Sequence, residues 1–186
     1  MADDGVELYL ITDPATENQS DSNATGYLQD LLDNYQSEGA MAVRNVDDFV
    51  NRVIAVCQLT GKKVRKLVIG CHGSTGVFHI GATTYTWDDA DKLKTKLAPI
   101  VPWLTAHADV YLLSCKVANK PLALSILSDA LGGVAVHGFT DWIYTTSFLG
   151  YTSVDDQTDD GANEVVCWSN ECVQVRTNAL RPFTRR

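Results

Sequence analysis

From Val6 to His137 the chain alternates short apolar runs with stretches in which apolar residues recur every three or four positions. Runs of this length, bounded by Gly, Asp and polar residues, predict buried strands at Val6–Ile11, Ala40–Val43, Val64–Cys71, Asp109–Ser114 and Val134–His137. The helical stretches fall between them. Leu28, Leu31, Leu32 and Tyr35 share one face of a helix predicted to be capped by Thr25 and to run through Ser37, with Gly39 as its stop. Val46, Phe49, Val50, Val53, Ile54 and Cys57 form the stripe of a second helix, capped by Asn45 and ended by Gly61. Asp88 is expected to cap a third helix to about Leu97, before Pro99 and Pro102 interrupt. Asn119 is expected to cap a fourth, with Pro121 in its first turn and Gly132-Gly133 after its end.

Strands that alternate with helices predict an α/β fold: an open, mostly parallel sheet with helices on both faces. Smaller features interrupt the rhythm. Asp13 to Ala24 is polar, turn-rich and expected to be mobile. Phe78–Ile80 and Thr83–Tyr85 flank Gly81-Ala82 as a small hairpin. After Gly150 the pattern changes to an acidic loop, Val154–Asn163, and a C-terminal β-hairpin from Glu164–Trp168 and Cys172–Arg176. Arg181–Arg186 reads as a basic tail. At 186 residues the chain is expected to form one domain, 1–186, with its core between about 6 and 144.

Charge and cysteine content narrow the partners. A net charge of -8 argues against nucleic acid or an anionic membrane as the main partner. No apolar run approaches the roughly 18 residues of a membrane span, and the acidic start Met1-Ala2-Asp3-Asp4 does not resemble a signal peptide. The expectation is a soluble, cytoplasmic protein. Five cysteines without secretory context suggest no disulfide framework. Cys57 and Cys71 read as buried thiols, and Cys167 and Cys172 lack the second pair that zinc requires. Neither a phosphate loop nor metal-ligand spacing is present, so no cofactor is expected. His79 and His107 read as isolated, and His137 as a core residue of the fifth strand.

The candidate chemistry sits where two of the apolar runs end. His72-Gly73 closes the run from Val64, and Cys115 closes the run from Val110. Open α/β sheets place their working groups beyond the carboxyl ends of the strands. If these two strands are parallel neighbours, an imidazole and a thiol lie side by side as a base and nucleophile. Gly73 lets the backbone turn sharply, and its amide, with that of Cys115, is the candidate oxyanion hole.

Strand-His-Gly, helix, strand-Cys resembles the caspase-like clan of cysteine peptidases, which includes caspases, gingipains, clostripain, legumain and separase. Val68-Ile-Gly-Cys-His-Gly-Ser-Thr-Gly76 and Val110-Tyr-Leu-Leu-Ser-Cys-Lys-Val-Ala118 look most like a bacterial branch of uncharacterised domains at the front of large surface proteins. The resemblance implies a caspase-like sheet, Cys115 as nucleophile and His72 as base, or as the acid that protonates the leaving amine. Leu-Ser-Cys-Lys-Val departs from the caspase Gln-Ala-Cys-Arg-Gly pattern, so aspartate selectivity does not carry over. In this fold the ends of the first and fifth strands frame the S1 pocket. Here they offer Asp13 and Asp141, with Trp142 as a wall, which would favour a basic P1 side chain.

The expectation is therefore a cysteine endopeptidase with a polypeptide substrate. Two other classes fit the same residues: a non-catalytic peptide-binding module on this fold, and an unrelated α/β hydrolase or transferase in which Cys115 is incidental.

Overall fold

The computed structural model describes residues 5–16, 22–146, 151–154 and 164–175. In chain order the elements are β1 (Val6–Thr12), α1 (Ser22–Asn34), β2 (Met41–Val43), α2 (Val46–Thr60), β3 (Val64–Gly70), β4 (Gly73–Ser74), β5 (Val77–Ile80), β6 (Thr83–Thr86), α3 (Ala90–Leu97), β7 (Leu104–Leu113), α4 (Leu122–Ala130), β8 (Ala135–Phe139), β9 (Ile143–Thr146), β10 (Tyr151–Val154), β11 (Glu164–Trp168) and β12 (Glu171–Val175). Seven strands form one sheet in the order β12-β11-β8-β7-β3-β1-β2. The five from β8 to β2 run parallel, and β11 and β12 add an antiparallel hairpin at the edge. This is the expected α/β class, consistent with a caspase-like open sheet.

Alternation along the strands builds two cores. Leu8, Leu10, Leu67, Ile69, Val110, Leu112 and Val136 face α2, α3 and α4. Tyr9, Ile11, Val68, Leu113 and Phe139 point the other way, toward Leu28, Leu31 and Tyr35 at α1. Helices thus cover both faces, three on one and one on the other. Asn45 caps α2 as expected, its Oδ1 accepting the Asp48 N–H at 2.9 Å, and Gly61 closes the helix at φ 67°.

Several boundaries differ from the sequence expectation. Helix α1 starts at Ser22, so Thr25 lies inside it; nothing between Ser22 and Thr25 breaks a helix. It stops at Asn34, a short 3-10 turn follows, and Gly39 at φ 78° ends that turn. Asp89 rather than Asp88 precedes α3, its carboxylate accepting from the Thr86 N–H and hydroxyl. Asn119 does not cap α4. It closes a separate 3-10 turn, and Pro121, whose ring fixes a helical φ, leads into Leu122. Strand β7 begins five residues early, at Leu104.

Four elements or links lie outside the sequence reading. β4 adds a third strand to the expected small hairpin. β9 and β10 pair as a second hairpin. Cys167 and Cys172 are joined by a disulfide, against the expectation of none: directly opposite on β11 and β12, their Cα atoms are 4.1 Å apart. The acidic segment 155–163 and the tail 181–186 lie outside the described residues. No helix among the described residues is long and apolar enough to cross a membrane.

Candidate functional site

Register brings the candidate residues together. Gly70 of β3 pairs with Ile11 of β1 and with Leu113 of β7, and Tyr111 of β7 pairs with His137 of β8. Backbone bonds continue the pairing past the strand ends: Cys71 N–H to Leu113 O at 3.0 Å, and Lys116 N–H to Asp141 O at 3.0 Å. Asp13, His72, Cys115 and Asp141 each lie one or two residues past the carboxyl ends of four adjacent strands. Neighbouring strands stand about 4.8 Å apart, so His72 and Cys115 share one patch. Alternation also gives them the same face. Cys115 belongs to the core cluster of α1, and the His72 ring lies 5.4 Å from the ring of Tyr27 on α1.

The sulfur is enclosed. Cys115 is 7% exposed, and Ile143 N–H donates to its Sγ at 3.4 Å. Burial pushes the thiol up from its ordinary range. The N–H groups of Ile143 and of Cys115 itself, and the charge of Lys116, pull it down; Asp141 pushes it up again. Tyr27 donates its hydroxyl to Leu113 O at 3.1 Å, so the carbonyl that accepts from Cys71 also ties α1 to the rim. Burial holds this phenol protonated well above its usual range, and the thiols of Cys115 and Cys71 add to the effect.

Gly73 has no room for a side chain. A Cβ there would run into Ser114 Oγ and lie 2.5 Å from Val77 O. The residue after the histidine and the residue before the cysteine are therefore in contact, and only glycine allows it. Ser114 is fully buried, and its hydroxyl has no hydrogen-bond partner among the described residues. At Gly76, with φ 71°, an added Cβ would lie 2.7 Å from the Trp87 ring and 3.0 Å from Lys120.

The matching family profile spans residues 21–134, more than half of the chain, and is described as Domain of unknown function (DUF4347). The chain belongs to this family. The DUF4347 match contains His72, Gly73 and Cys115, and stops before Asp141 and Trp142. No curated protein was found that matches the chain.

Asp13 and Asp141 differ in their surroundings. Asp141 is buried beside Cys115, and its Oδ1 accepts the Trp142 N–H at 2.8 Å. Asp13 accepts the Ala15 N–H at 2.9 Å, the ordinary work of an aspartate in a turn. Trp142 is 48% exposed, with Lys116 Nζ 4.4 Å from its ring centroid. Two neighbours were missed in the sequence. His79 of β5, read as isolated, is held below its ordinary range by burial and by the charge of His72. Tyr27 gave no signal beyond its place beside the apolar stripe of α1. No group of three or more His, Cys, Asp or Glu among the described residues is arranged to hold a metal.

Proposed function

We propose that the domain is a caspase-like cysteine endopeptidase. What supports this reading is that His72 and Cys115 each follow the carboxyl end of one of two adjacent parallel strands, near α1. His72 takes the thiol proton as Cys115 Sγ attacks the peptide carbonyl carbon, and the carbonyl oxygen takes the negative charge, facing the Gly73 amide. The C–N bond breaks as His72 gives a proton to the leaving amine. Water then attacks the thioester, His72 takes its proton, and Sγ leaves. Asp141, beside the sulfur, favours a basic P1 side chain; Asp13, engaged by its own turn, contributes less.

A second reading has its own support. The sulfur is buried and its pKa raised, as in an inert thiol. On that reading the domain binds peptides without cleaving them. For cleavage, Ile143 has to move aside so that a carbonyl can reach Sγ.

A peptide-library digest separates the two. The wild type should cut, with Arg or Lys favoured at P1, and Cys115→Ala should not. Equal cutting by Cys115→Ala rules out the peptidase mechanism. Cutting after acidic or small residues removes the role of Asp141 alone.

A further inference from the structure

Among the described residues only Lys116 and Ser169 combine a side chain with a positive φ. Ser169 lies in the two-residue turn between β11 and β12, where such a φ is ordinary. Lys116 is different. It directly follows the candidate nucleophile, at φ 56° and ψ 10°. Glycine takes this left-handed conformation freely, whereas a side chain is strained in it. Strain of this kind at a site points to something that the side chain does.

The surroundings show what that is. The left-handed turn aims the Lys116 N–H at Asp141 O. It also lays the ammonium over the half-exposed ring of Trp142, 4.4 Å from the centroid. Around the sulfur are Tyr27 of α1, Asp141 beyond β8 and Lys116 itself, with His72 just past the end of the neighbouring strand β3. Tyr27 stays neutral and Asp141 opposes a thiolate. A lysine carries a full positive charge across the neutral range.

We propose that Lys116 is a positioning residue of this site, presenting a positive charge to the Cys115 sulfur from a bracket formed by Trp142. The proposal rests on the reading of Cys115 as the nucleophile. The charge offsets part of what burial and Asp141 do to the thiol, and the Trp142 ring keeps it from swinging into water.

The test is the pH dependence of Cys115 alkylation by iodoacetamide, read by peptide mapping of the full chain, beside thermal midpoints. Lys116→Gly relieves the backbone strain, so its thermal midpoint should equal or exceed that of the wild type. Its alkylation midpoint should nevertheless move up by about one pH unit. Lys116→Met should move the midpoint the same way, and Lys116→Arg should hold it near the wild-type value. An unchanged midpoint in both Lys116→Gly and Lys116→Met overturns the proposal, and so does a shift in Lys116→Arg as large as that in Lys116→Met. The profile is read without peptide turnover. A Lys116-dependent profile in a protein that cleaves nothing would remove the peptidase reading and keep this one.

Discussion

Two histidines on the side of the sheet that carries α1, His72 and His137, stand at different heights and in opposite circumstances. His137, midway along β8, is packed into a finished network. Its Nδ1 is 2.7 Å from Glu164 Oε1, its Nε2 is 3.3 Å from Asp109 Oδ1, and its ring stacks on Tyr111 at 4.3 Å. The network continues across the strands through Lys66, which lies near the rings of Tyr111 and Tyr9 and 3.6 Å from Glu7. His72 stands at the carboxyl rim, level with a thiol, beside a glycine that excludes any side chain and near a strained lysine. Two carboxylate partners alone would make His137 a candidate catalytic histidine. It stands inside a strand, whereas His72 stands where the chain leaves the sheet. Cross-strand polar pairs in mid-sheet stabilise the sheet; polar groups at the rim, where the chain leaves the sheet, are the ones positioned for a ligand.

The sharpest way to break this contrast is to delete each histidine in turn. His72→Ala should lower peptide turnover by about 10²–10⁴-fold with the fold retained. His137→Gln should leave turnover within about threefold of wild type, while lowering stability by about 1–3 kcal/mol because a buried carboxylate loses a partner. Steady-state rates and urea midpoints on both variants decide it. The reverse pattern would place the site at mid-sheet.

Gly73→Ala sharpens the rim itself. The added methyl meets Ser114 and the Val77 carbonyl, so the contact between the two strand ends must open. The expected loss is about 1–3 kcal/mol by urea unfolding. Turnover should fall further than the loss of folded protein explains. A variant with wild-type stability and turnover would mean that the rim is slack.

The smallest effect is on pH. Burial pushes Tyr85 and Tyr111 up to about 12, and Cys115 is also raised. The folded chain therefore keeps protons that the unfolded chain releases above about pH 8.5 for thiols and about 10 for phenols. Their contribution is complete below those values and declines as pH rises through them. Urea midpoints should fall between neutral pH and about pH 10.5. Tyr111→Phe and Cys115→Ser should each reduce that fall.

The sequence exposed what depends on short-range pattern. The apolar runs located the five parallel strands, and with them the place of His72 and Cys115, two residues past the ends of adjacent ones. What it concealed depends on contacts distant in the chain. His79 comes under the charge of His72 only because β5 folds back along β4. Tyr27 reaches Leu113 only because α1 crosses the rim. The Cys167–Cys172 bond follows from hairpin register, which a four-residue spacing does not reveal. The left-handed turn at Lys116 is unreadable because lysine has no preference for it.

The most direct measurement is covalent trapping at the rim. The protein is incubated with a peptidyl acyloxymethyl ketone bearing arginine at P1, and the modified cysteine is located by peptide mapping. The account predicts label on Cys115, strongly reduced by His72→Ala and unchanged by His137→Gln. Label on Cys57 or Cys71 in place of Cys115, or equal labelling of Cys115 in His72→Ala, would contradict it.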